Sequence, residues 1–314
     1  MAVSPISRSL FLAAVPALGA AAALPAWAQA PTLKIGATAN DTFAQAYYAQ
    51  DMGFFTKAGL NVEILTFTNG ASVSTAVASG AADIGVSNPV GLANAVSHGI
   101  PFVLIAGGGL YNTAAPTTVL CVGKDSAIKT PKDFVGQTIA VSALKDLTDL
   151  ARSEYLAKNG VDPASVKAIE LPFSEMGAAC ERGTVAGAII SEPSLSASLG
   201  KGQTRVFAKV FDDLAPHFLI STWFSTRDWY TKNPSLAKRY ATVMADTATW
   251  ANANHDQSAA ILARYSKITL ATMHAMTRAT YATSLNPQYI DPLLQLSAKA
   301  KLTDKLVTLS SMMM

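Results

Sequence analysis

The chain is 314 residues long, half of them apolar and only 14% charged, with a net charge of +3. That length and apolar share supply cores for one large domain or two lobes and exclude a disordered or fibrous chain. The near-balance of charge leaves no basic surface of the kind nucleic acid requires, so no nucleic-acid partner is expected. Cys121 and Cys180 are too few for a disulfide-built scaffold. They leave a single bridge or two buried thiols open.

Residues 1–28 read as a secretory signal peptide. Arg8 is the one charge before the stretch SLFLAAVPALGAAAALPA, and Ala26-Trp27-Ala28 fits a small-x-small cleavage site. Pro16, Gly19 and Pro25 interrupt the run and leave it short of a membrane span. No cysteine near the cleavage point marks a lipid anchor, so the remainder is expected to be exported as a soluble protein after cleavage near Ala28.

From there short apolar runs alternate with helical stretches, the pattern of an α/β fold with mainly parallel strands. LKIGAT (33–38) reads as a strand, Thr42 to Met52 as a helix stopped by Gly53, and NVEILTFT as the next strand. A small-residue helix after Gly70, the strand ADIGVS, a helix through Ser97 and the strand PFVLIAGG complete a first unit ending near Asn112. The second unit opens with TTVLCVG and continues with TIAVS, VKAIEL, AGAIIS and RVFAKVF as strands. After a single strand FLISTWFS the rest reads as helical, with starts at Asn233-Pro234 and Asn286-Pro287, and is expected to pack back on the first unit. The lobes are therefore placed at 29–113 with 218–314, and at 114–217.

The strand-to-loop pattern occurs twice: GAADIGVSNP (80–89) and GTVAGAIISEP (183–193) each end a strand in Ser-x-Pro. Loops at the carboxyl ends of strands are where open α/β sheets bind ligands. With chain crossings near 112–116 and 212–220, the two loops are expected to face each other across a cleft.

QDMGFFTKAGLNVEI, ASGAADIGVS, IKTPKDFVGQTIAVS, RSEYLAKNGVDPASVKAIELP and VAGAIISEP, in that order, resemble the corresponding segments of solute-binding proteins of the nitrate, sulfonate and taurine transporters, a group that includes thiamine-precursor-binding relatives. The resemblance implies a type II periplasmic binding protein, a two-lobed monomer in the periplasm that hands a small solute to an ABC permease with its ATPase. One segment departs from the family: the loop after the second unit's first internal strand is often rich in Gly, Ser and Thr there and is VSALKDLTD here.

The candidate ligand-binding residues are Asn40, Asp41, Thr42 and Phe43 after the first strand, Gly70 and Ser72 at the next helix start, Ser87 and Asn88, and Asn112 at the first crossing. On the second lobe they are Ser142, Ala143, Lys145 and Glu192, and Trp223 follows the second crossing. Helix starts at Thr42, Ser72 and Ser142 present free amides that favour an anion, and Lys145 adds a charge. Asp41 and Glu192 pull the other way. The reconciling expectation is a small organic anion, a sulfonate or carboxylate, whose far end donates to Glu192, or a Glu192 paired with Lys145 or Arg152. The alternative is an aminopyrimidine held by Glu192 and Asp41. His98, His217, His255 and His274 lack metal-ligand spacing, and no G-x-S-x-G, dinucleotide fingerprint or phosphate loop is present. No metal, no cofactor and no catalysis are expected, and Gly107, Gly108 and Gly109 are read as letting the backbone come close to ligand or bend at the crossing.

Overall fold

A computed structural model describes Met1 and residues 32–314, so the signal segment and its expected cleavage site lie outside the described residues. In chain order the strands are β1 (Leu33–Thr38), β2 (Val62–Phe67), β3 (Ile84–Ser87), β4 (Phe102–Gly107), β5 (Gly109–Asn112), β6 (Thr118–Gly123), β7 (Thr138–Val141), β8 (Lys167–Glu170), β9 (Gly187–Ser191), β10 (Thr204–Ala208), β11 (His217–Leu219), β12 (Thr222–Thr226) and β13 (Thr280–Tyr281).

They form two five-stranded sheets of the same design. The first has the order β2-β1-β3-β12-β4 and the second β8-β7-β9-β6-β10. In each, three parallel neighbours are followed by one strand running against them, β12 in the first and β6 in the second. The antiparallel strand is the one that enters from the other lobe. Four of the five strands in each sheet run the same way, as expected of mainly parallel strands, and one runs against them. β3 and β9 occupy equivalent places, each beside the incoming strand, so the repeated Ser-x-Pro gesture marks one structural position used twice. Both are buried on both faces, which is why they read as unbroken apolar runs rather than alternating ones.

Helices cover each sheet. The helix Gly70–Ala78 packs on β3, the helix Phe173–Glu181 packs on β9, and the long helix Pro234–Ala253 returns to the first lobe and lies against Gln45–Asp51 and β4. No helix among the described residues is long and apolar enough to cross a membrane. Trp223 belongs to this core and not to the cleft. It is wholly buried on β12, its indole Nε1 donates to Gln45 Oε1 at 2.9 Å, and its ring meets Tyr240 at 5.4 Å.

Three sequence expectations change. The helix expected from Thr42 divides into a 3-10 turn, Asp41–Phe43, and a helix, Gln45–Asp51. RVFAKVF is a strand only to Ala208, followed by a 3-10 turn at Val210–Asp213. FLISTWFS is two strands in different sheets: β12 joins the first large sheet, whereas β11 pairs with β5 in a small sheet, β11-β5-β13, with His217 opposite Asn112.

The break between β11 and β12 falls at Ser221, and the glycines explain it. A Cβ on Gly108 would lie 2.6 Å from the Ser221 carbonyl oxygen, and one on Gly109 would lie 2.6 Å from the Thr42 carbonyl oxygen. Ser221 Oγ donates to that Thr42 oxygen at 2.6 Å and accepts from Gly109 N at 2.7 Å. The glycines therefore admit protein backbone, and the resulting knot joins the crossing strands to the turn after β1. Gly109→Ala is expected to cost about 1–3 kcal/mol through overpacking, read as a lowered midpoint in urea unfolding.

Cys121 and Cys180 are free and buried, and burial pushes both thiols up to about 12. A maleimide at neutral pH is expected to label neither in the folded protein and both in denaturant.

Candidate functional site

The carboxyl ends of β1, β2, β3, β7 and β9 meet between the lobes, and the turns after the first four are organised by an Asn or Asp cap. Asn40 Oδ1 accepts from Thr42 N at 3.2 Å and Thr42 Oγ1 at 2.8 Å. Asn69 Oδ1 accepts from Ser72 N at 2.9 Å, capping the helix Gly70–Ala78, and Asn88 Oδ1 accepts from Gly91 N at 2.8 Å, capping Pro89–Ser97. Asp146 caps Leu147–Lys158, its Oδ1 accepting from Thr148 N at 2.8 Å and Asp149 N at 3.1 Å. The starts expected at Thr42, Ser72 and Ser142 are thereby shifted. Thr42 and Ser72 lie one and two positions inside their elements, and Ser142 lies in a turn ahead of the helix, because an Asn or Asp oxygen nearby takes the capping role.

The caps also bridge the lobes. Asn69 Nδ2 donates to the Ser142 carbonyl at 3.0 Å, Leu147 N donates to Asn88 Oδ1 at 3.2 Å, and Asp41 N donates to the Glu192 carbonyl at 3.1 Å. Between these bridges lies a central cavity of about 30 Å³. Its walls are hydroxyls (Thr38, Thr42, Thr68, Thr118, Ser142, Thr148, Ser191), the amides of Asn69 and Asn88, Gly70, the rings of Phe43, Phe173 and Phe211, the apolar Leu147 and Ile220, and one carboxylate, Asp146. No Lys, Arg or His lines it. Asn69 serves the amide of Ser72, so the first amides of the helix, at Gly70 and Ala71, have no acceptor within it and carry the positive end of its dipole. Gly70 also keeps this end against β3, since a Cβ there would stand 2.6 Å from Ser87 Oγ. Two flanking cavities continue the cleft, one of about 290 Å³ sharing Thr38, Thr68 and Phe173 with the centre, the other of about 480 Å³ sharing Asn88 and Asp146.

Of the residues expected from the sequence, Thr42, Phe43, Gly70, Asn88 and Ser142 line the central cavity. Asn40 lines the 290 Å³ flank, and Ser87, Ala143 and Lys145 the 480 Å³ flank. Ser72 is bonded to Asn69, and Asn112 lies in the crossing with its Oδ1 accepting from Ala114 N at 2.9 Å. The two troublesome carboxylates face elsewhere. Asp41, wholly buried, takes Arg278 Nη2 at 3.0 Å, Ala279 N at 2.6 Å and the Tyr48 hydroxyl at 3.2 Å, while its own carbonyl accepts from the Tyr281 hydroxyl. Glu192 turns back on its own helix, Oε2 accepting from Ser196 N at 3.0 Å and Oε1 from Ser196 Oγ at 2.8 Å. The expected pairing of Glu192 with Lys145 or Arg152 does not form: Arg152 pairs with Asp149 at 2.8 Å.

The sequence reading missed Asp146, Asn69 and the threonines of the strand ends. A signal existed for the first two, since each is an N-cap residue directly ahead of an apolar-periodic helix. Asp146 is buried, with Ser142 Oγ and Thr148 Oγ1 also donating to it and no cation beside it; burial pushes its carboxyl up to about 6 against those bonds. Burial likewise pushes Glu192 up to about 7, opposed by the Ser196 bonds and reinforced by Asp41. No group of three or more His, Cys, Asp or Glu among the described residues is placed to hold a metal ion.

The architecture, two α/β lobes joined by paired crossings with a polar cavity between them, is that of the periplasmic binding proteins. A periplasmic aliphatic sulphonate binding protein from Escherichia coli superimposes with a TM-score of 0.71 at 19% identity, covering 91% of this chain and 92% of that one. An alkanesulfonate-binding protein from Xanthomonas axonopodis, bound to MOPS, does so at 0.74 and 18% over 90% and 98%. The taurine-binding periplasmic protein of Escherichia coli is 29% identical over 193 residues, 61% of this chain, and the match spans only 58% of that relative's length. The NMT1/THI5-like family model matches residues 40–258, and the chain belongs to that family.

A buried carboxylate with a raised pKa weakens the fold when ionised, and that cost is relieved as pH falls through its folded value toward its unfolded one. Asp146 and Glu192 therefore contribute stability that increases as pH drops from about 7 into the ordinary carboxylate range. The melting temperature is expected to gain less between pH 7.5 and 5.5 in Asp146→Asn than in the wild type, measured by calorimetry.

Proposed function

We propose that this chain is the solute-binding component of an ABC importer, holding a small organic anion of sulfonate or carboxylate type between its lobes in the periplasm and presenting it, as a monomer, to the permease and its ATPase. The observation that carries the reading is the central cavity: walls drawn from both lobes, helix amides at Gly70 and Ala71 free for an acceptor, and hydrogen bonds from the caps that cross the cleft beside it. The names of its relatives, taurine-binding and sulphonate-binding, support the same class. The lobe limits that go with it are 29–113 with 218–314, and 114–217, with residues 1–28 removed on export.

Closure is the mechanism. Asn69 and Asn88 on one lobe can reach Ser142 and Leu147 on the other only when the lobes are together, so a solute touching both lobes stabilises the form in which those bonds exist. The cavity hydroxyls bonded to Asp146, those of Ser142 and Thr148, hold the start of its helix, and the solute is expected to be released unchanged. Asp146 favours one subclass: with no cation facing it, a solute carrying an amino or ring N–H group besides its anionic head gives it a partner. The same observation favours the aminopyrimidine alternative, now with Asp146 in place of Asp41 and Glu192.

Melting shifts over a panel of sulfonates, carboxylates, nitrate and aminopyrimidines test the class by mass action. Anionic solutes are expected to raise the melting temperature. For the best binder, Asn88→Ala should weaken affinity about tenfold, since closure loses a cross-lobe bond of about 0.5–1.5 kcal/mol and its weaker companion to Asp146. Response to aminopyrimidines alone would replace the anion by that alternative, and an altered product recovered over several turnovers would end the binding-protein reading.

A further inference from the structure

The 480 Å³ flanking cavity is larger than the centre and shares Asn88 and Asp146 with it as lining. One wall is the helix Gly70–Ala78, which turns Ala71, Ser74 and Thr75 toward it. Another is the helix Pro89–Ser97, contributing Gly91 and Ala95. Ile100 and Phe102 give it an apolar floor. Small side chains on two facing helices leave room for a chain of several heavy atoms.

Its roof is the turn Ala143–Lys145 of the second lobe, and this turn is held in place. Leu144 N donates to Glu170 Oε1 at 2.7 Å and Lys145 N to Asp149 Oδ2 at 2.9 Å. Lys145 has a left-handed backbone, φ 58°, unusual for a residue with a side chain. It also stands just ahead of the helix Leu147–Lys158, at the end where the helix dipole disfavours a cation. Lys145 is exposed, and among the described residues it makes no ion pair that would favour a cation at this helix end. Lys201, on the opposite flank, differs: it is the C-cap of Ser194–Gly200, where a cation complements the dipole.

We propose that this chamber receives the distal part of the solute and that the turn Ala143–Lys145 selects solutes whose tail ends in a second anionic group. The inference rests on the anion-binding reading above and narrows it: the head group sits on the amides of Gly70 and Ala71, the chain passes Asn88 and Asp146, and the far anion meets Lys145. A tail that buries methylenes on Ile100 and Phe102 gains about fourfold in affinity for each one buried.

The test uses titration calorimetry with matched probes: methanesulfonate, hexanesulfonate and hexanedisulfonate, with acetate, heptanoate and suberate as the carboxylate series. The wild type is expected to bind the long probes at least tenfold more tightly than the short one of each series, and the two-headed probe most tightly. Ser74→Phe, with Thr75→Trp at the exposed rim as a second variant, should weaken the long probes tenfold or more and leave the short ones within about twofold. Lys145→Gln should remove only the advantage of the two-headed probes. If the short and long probes bind equally, or if Ala197→Trp on the opposite flank weakens the long probes while Ser74→Phe and Thr75→Trp do not, the chamber assignment is overturned and the anion reading stands. If no probe of either series binds, both fall.

Discussion

The buried ion pair between Asp41 and Arg278 conditions everything around the cleft. The turn Asp41–Phe43 must present its backbone to the second lobe and its Thr42 and Phe43 side chains to the cavity, which places a carboxylate at the same edge. Left alone, that charge would be desolvated and would repel any anion nearby. Arg278 pairs with it, with Ala279 N and Tyr48 filling the remaining acceptor positions. Removing either member of such a pair leaves its partner charged and buried, commonly at a cost of about 3–5 kcal/mol. The pair also ties the segment just ahead of β13, far along the chain, to the turn after the first strand.

Asp146 receives no such treatment. Four hydrogen bonds from its own lobe reach its oxygens, only one of them to Oδ2, yet none comes from a cation, and burial pushes its carboxyl up. The two carboxylates divide the work by environment: one is a structural anchor turned away from the cavity, the other a polar wall of it. Glu192, capping its own helix through Ser196, belongs with the anchors.

Most strands were legible because β1, β3, β4, β6 and β9 are buried apolar runs bounded by glycine or proline, a local property of the chain. What escaped depended on partners far away in sequence. FLISTWFS looks continuous, and only the approach of Gly108 and Gly109 to Ser221 and Thr42 divides it. Trp223 lies near a crossing, but its partner Gln45 pulls it into the core. Asp41 and Glu192 have the residue types of a binding site, and their engagement by Arg278 and Ser196 cannot be seen from spacing. Lys145 was placed at a helix start because Ser142 resembles a cap, whereas Asp146, a stronger acceptor, delays that helix and moves the lysine to a flank.

The central place of β12 in the first sheet has a consequence for how the chain reaches this structure. β3 and β4 are made early, yet the strand that separates them comes after the whole second sheet, and the bond from Ser225 Oγ to the Asp83 carbonyl spans 142 residues. Until that strand arrives, the first lobe has two exposed edges where its middle should be. Pairings so distant in sequence slow folding, because loop closure precedes any gain from contact. A chain built this way cannot complete its first sheet until residue 226 is available, after the whole of the second sheet.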